Sequence, residues 1–95
     1  VSATQELELA YLAYREAFFG FAARGRVVEG VFTPDEAAKM TDLVLRGQSL
    51  IQDHLSWTNF SEEAKKQRAQ DLDSLANEMR DFGQGFFTRI LKQGE

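Results

Sequence analysis

His54 is the only imidazole in the chain, so any chemistry that needs one must pass through it. A metal site requires several His or carboxylate ligands converging on one point. A di-iron site in a helical bundle requires two Glu-x-x-His elements, and the sequence has none. The chain also has no cysteine, which removes thiolate ligands, a thiol nucleophile and any disulfide framework. Its carboxylates fall on polar helix faces: Glu6, Glu8 and Glu16 beside Arg15, and Asp71, Asp73, Glu78 and Asp81 beside Arg80. Such faces are ordinarily solvated and joined by weak pairs along the helix. Gly83-Gln84-Gly85 is half of a dinucleotide fingerprint with no strand before it, and reads as a place where helices approach closely. With no catalytic-looking Ser-His pair and no phosphate loop, the expectation is a non-enzyme without cofactor or metal.

The remaining roles of His54 are a packing or hydrogen-bonding residue, a pH switch near neutrality, or phosphotransfer. Histidine-phosphotransfer domains are helical bundles in which an exposed His is followed closely by Lys and Gly. Here the run is Asp53-His54-Leu55-Ser56-Trp57, which lacks both. His54 also falls on the apolar stripe of its helix, where a response regulator could not reach it.

Charge narrows the partners. The net charge of −4 opposes wrapping nucleic acid or an anionic membrane, which need a strong positive field. Lys65, Lys66 and Arg68 on one helix and Arg24 and Arg26 on another are expected at opposite ends of the bundle, a poor track for phosphates. The longest strongly apolar stretch, Ala17–Ala23, has about seven residues, against roughly 20 for a membrane span. No charged-then-apolar leader opens the sequence, and Val1 in place of methionine is what a trimmed chain would show. The expected setting is cytoplasmic.

The elements that must position these residues are three helices, expected at about 3–29, 34–57 and 62–92. Thr33-Pro34-Asp35-Glu36 supplies an N-cap, a proline at the first helical position and the glutamate of a capping box. Ser2 with Gln5 and Ser61 with Glu62-Glu63 open the other two helices, and Gly30 can close the first. Leu7, Tyr11, Tyr14, Phe18 and Phe21 form one stripe. Met40, Leu43, Gly47, Leu50, His54 and Trp57 form a second, and Leu72, Leu75, Met79, Phe82 and Phe86 a third. Period-two alternation is absent. Short connections make neighbours antiparallel, so the fold class is all-α: a single-domain helical bundle over 1–95, with helices 1 and 3 parallel. Phe18, Phe19 and Phe21 should then meet Phe82, Phe86 and Phe87 over a notch at Gly47.

One helix has more apolar surface than such a core can use. At about 100° per residue, Leu12 and Phe19 project roughly 120–140° from Leu7, and Leu9 about 200°. Leu45 points away from Leu43 and Leu50 in the same manner. Contiguous surplus apolar surface marks an interaction site. Leu9, Leu12, Phe19 and Leu45 are therefore the candidate interface, for another protein or for a second copy in a homodimer. In size, acidity and helix pattern the chain resembles the small acidic helical anti-activators of bacteria, which bind a transcription factor such as a quorum-sensing regulator and block it. That resemblance implies a non-catalytic regulator acting by protein binding. A phosphotransfer domain and a small-ligand sensor using the aromatic layer are the alternatives.

Overall fold

A computed structural model describes the backbone of residues 2–27 and 32–93 and the side chains of 2–20 and 32–92. The order is α1 (Ala3–Val27), α2 (Pro34–Ile51), a 3₁₀ segment (His54–Asn59) and α3 (Glu62–Gln93), with no strand among the described residues. The helix starts follow from their caps. The Thr33 hydroxyl accepts from the Glu36 N–H at 3.2 Å, while the Glu36 carboxylate accepts from the Thr33 N–H at 2.9 Å. Ser2 and Gln5 make the same reciprocal pair, and the Ser61 hydroxyl accepts from the Ala64 N–H at 3.2 Å. Each cap satisfies N–H groups that have no partner inside the helix. The expected end of helix 1 at residue 29 and its Gly30 cap lie outside the described residues.

The helices run up, down and up. The Lys65 ammonium donates to the Thr4 hydroxyl at 2.9 Å, which sets the start of α3 beside the start of α1. α2 runs antiparallel to α3, because Glu36 pairs with Arg89 near its start and Leu50 meets Arg68 near its end. α1 and α3 are the closest pair. Small residues explain why: Ala3, Ala10 and Ala17 recur every seven positions on α1, and Ala69, Ala76 and Gly83 on α3, all buried. Between them sit Leu7 and Tyr14 on one side and Leu72, Leu75, Met79 and Phe86 on the other. A sustained seven-residue repeat keeps one seam facing its partner along the helix.

Two expectations need correction. Helix 2 does not continue to residue 57; α2 ends at Ile51. The Leu50 carbonyl accepts from the Arg68 guanidinium at 2.6 Å, in place of the N–H four residues on that would extend the helix. The backbone then tightens, with the Ser56 N–H donating to the Asp53 carbonyl at 2.8 Å. The aromatic layer over Gly47 is also arranged differently. Tyr14 lies over Gly47, Phe19 and Phe87 are exposed, and Phe32, Phe82 and Phe86 form a separate stack with neighbouring centroids 4.5 and 6.4 Å apart. The alanine seam turns α1 so that Tyr14 faces inward, with Phe18 half-buried at the margin. Phe21 lies outside the described side chains.

Candidate protein-binding face

Filling the inner side of α1 leaves large apolar residues on its outer side mostly exposed among the described residues. Ala3, Leu7, Ala10, Tyr14 and Ala17 point inward, and the opposite arc, about 180° round the helix, holds Gln5, Leu9, Leu12, Glu16 and Phe19. Leu9 is 62% exposed, Leu12 53% and Phe19 60%. The steps between these five positions are four, three, four and three, a second heptad stripe on the same helix. Leu45 is 57% exposed and stands on the outer face of α2, so it belongs to a different helix from the other three.

Charged groups frame the α1 stripe. The Arg15 guanidinium spans the Tyr11 ring at 5.7 Å and the Phe19 ring at 5.8 Å, covering part of their apolar faces. Such contacts stabilise an exposed arginine modestly while its charge stays in water. Glu8, seven positions before Arg15, lies on the same flank.

Ion pairs elsewhere fix the frame. The Glu78 carboxylate is held by Arg46 and by Lys39 at 3.5 Å, and Glu36 by Arg89, whose Nε donates at 2.7 Å. Hydrogen bonds from these arginines hold both carboxyls below the usual carboxylate range. Asp53 is lowered likewise, first by its hydrogen bonds from Arg68 at 2.6 and 3.3 Å and then by that from the Trp57 indole at 2.8 Å. Arg68 also lies over the Trp57 ring at 5.9 Å and the Phe60 ring at 5.4 Å. It is thus the fastener of the corner between α2 and α3 rather than part of a phosphate-binding cluster.

His54 is exposed, not on a buried stripe, because the 3₁₀ segment redirects it. Its ring stacks on Tyr11 at 4.7 Å and meets Trp57 edge-on at 4.8 Å. Exposure removes the objection that a response regulator could not reach it, although no Lys or Gly follows at the phosphotransfer spacing. Tyr11, His54 and Trp57 line a groove of about 490 Å³, rimmed by Glu8, Leu55 and Lys65. Leu55, 92% exposed, was not singled out by periodicity, because an α-helical reading of the segment gives it no distinctive place. Among the described residues no cluster of three or more His, Asp or Glu could hold a metal ion, and no helix is long and apolar enough to cross a membrane. No protein-family model matches the chain, and no curated protein or solved structure matches it.

Proposed function

We propose that this chain is a non-catalytic regulatory or adaptor protein that works in the cytoplasm by binding another protein through the outer face of α1. The observation that supports this most directly is the pairing of a filled inner stripe with an exposed outer one on a single helix. Leu9, Leu12 and Phe19 are each more than half exposed, and large apolar side chains grouped on one exposed helix face are typical of docking sites. An amphipathic helix laid into a groove of its partner is the mode that fits. Following the resemblance to bacterial anti-activators, the partner is a transcription factor whose working surface the helix covers. The test is replacement of Leu9, Leu12 and Phe19 together by serine. Loss of the partner in pull-down from the native host, with helix content unchanged by circular dichroism, is expected; retention of the partner would refute the reading.

The groove beside His54 favours a second reading, a sensor for a small apolar or aromatic ligand. Aromatic walls with a few polar groups at the rim are the usual composition of such sites. Native mass spectrometry of the purified chain tests it, since a co-purified molecule lost on Tyr11→Ala substitution would establish the site.

A further inference from the structure

We infer that the outer stripe of α1 pairs with the same stripe of a second copy, the two helices running antiparallel with Leu9 of each against Leu12 of the other. This rests on the reading of that stripe as a protein-binding face, and names a second copy as what covers it when the partner is absent. Charge and register select this pairing. In an antiparallel helix pair the two kinds of seam position face each other, and the flanking positions before each seam residue meet across one side. Sliding one helix past the other by a heptad gives only a few possible alignments.

With Leu9 opposite Leu12, four leucines form the centre of the seam and Gln5 meets Glu16 at both ends. The Gln5 carbonyl already accepts the Ser2 N–H at 3.1 Å, so its NH₂ group remains to donate to a carboxylate. On the flank, Glu8 of each copy comes opposite Arg15 of the other. Neither residue has an ion-pair partner among the described residues of its own chain. Small Ala13 lies across from Glu6 on the other flank, and Phe19 closes over Ser2 of the second copy. At the centre leucine meets leucine, Gln5 meets Glu16 beyond it, and on the flank opposite charges meet.

The alternatives each bring like charges together. One heptad in one direction sets Glu8 against Glu8, and one heptad in the other sets Arg15 against Arg15 while burying Glu16 against Leu12. A parallel pair stacks Glu16 on Glu16 in the seam itself. Like charges directly opposed are unfavourable and select register in coiled coils. The two-fold symmetry is the commonest in oligomers and places every contact twice.

The experiment is sedimentation equilibrium on the full chain, whose monomer mass is 10.8 kDa. The wild type is expected at twice that mass at sufficient concentration. Glu8→Arg and Arg15→Glu each convert two favourable pairs into two like-charge pairs, and each should weaken the dimer by about tenfold. The double substitution restores both pairs in this register and should bring affinity back to within a few-fold of wild type. Both positions are exposed, and circular dichroism of each variant checks that the monomer fold is retained. A wild type that stays monomeric at several hundred micromolar overturns the inference, as does a double variant weaker than either single. Where the wild type is monomeric yet captures its partner through Leu9, Leu12 and Phe19, self-pairing falls while the protein-binding reading stands. Where the serine variant keeps both its partner and the dimer mass, both fall.

Discussion

Gly47 on α2 is where the packing leaves least room, and enlarging it tests the fold at its most specific point. A Cβ added there would sit inside contact distance of the Tyr14 hydroxyl, 3.0 Å from ring Cζ and 3.3 Å from Cε2. Relieving the Cζ contact alone requires the ring to retreat by about 0.5 Å, toward the ordinary carbon–carbon separation. Tyr14 is only 4% exposed and its centroid lies 6.1 Å from that of Phe18, so that retreat displaces the neighbouring ring as well. Overpacking of this kind costs about 1–3 kcal/mol. Against it, Gly→Ala inside a helix returns about 1 kcal/mol of helix propensity. Gly47→Ala is therefore expected to be neutral to mildly destabilising, and Gly47→Leu to destabilise by about 2 kcal/mol. At 4–8 °C per kcal/mol for a domain of this size, Gly47→Leu should lower Tm by roughly 8–16 °C. The informative measurement is a cycle with Tyr14→Leu, whose shorter side chain vacates the space over the glycine. In that background Gly47→Ala should become stabilising by about 1 kcal/mol, because only the propensity gain remains. Thermal and urea denaturation followed at 222 nm supply the numbers. A Gly47→Leu variant that melts with the parent, or an alanine effect of the same sign in both backgrounds, would refute the placement of Tyr14 over Gly47.

Two further outcomes follow from the ion pairs. Arg68→Met keeps the stem over Trp57 and Phe60 but removes the bonds to Asp53 and the Leu50 carbonyl. It should lower Tm by about 5 °C and red-shift Trp57 emission, whereas an unchanged spectrum would mean that Arg68 does not hold the corner. The carboxyls of Glu36, Asp53 and Glu78 are held below their ordinary range by their arginines. The unfolded chain therefore binds more protons than the folded one in acid, so this stabilisation is complete above the ordinary carboxylate range of about 4 and is lost as pH falls through the lower folded values. Tm should fall as the pH is taken below about 4.5, and Glu36→Gln with Glu78→Gln should flatten the decline. An equally steep decline in that double variant would assign the acid sensitivity to other groups.

The helix starts were legible because their signals are local: Thr33, Pro34 and Glu36 lie within one turn and need nothing from the rest of the fold. The outward angle of Leu9, Leu12 and Phe19 was legible for a related reason, since a helix fixes the relative direction of its own side chains. What sequence could not place depends on contacts between distant residues. The end of α2 at Ile51 is set by Arg68, eighteen positions beyond the carbonyl it takes. The exposure of His54 follows from that same ending. Gly47 announced a notch, but which ring fills it depends on the axial register of two helices, and Tyr14 rather than the phenylalanines stands at that height. Gly83 signalled a close approach on α3, but the α1 side of the seam was not legible from large apolar residues, because Ala3, Ala10 and Ala17 act through the closeness they permit and not through the area they bury.

That seam also bears on how the chain reaches its native form. α2 and α3 adjoin in sequence, whereas Ala10 and Ala69 line one groove across roughly sixty residues, so docking α1 closes a much longer loop than pairing α2 with α3. Before it docks, α1 offers α2 and α3 two apolar faces on opposite sides of one rod. Only the alanine face allows the backbones to approach; docking by Leu9, Leu12 and Phe19 would wedge the helices apart and leave Leu72, Leu75 and Met79 incompletely covered. A chain docked by that face would be loose and would have to swivel α1 by half a turn to mature. A second chain that masked the leucine face early would remove the wrong choice, and association of that kind would guide folding.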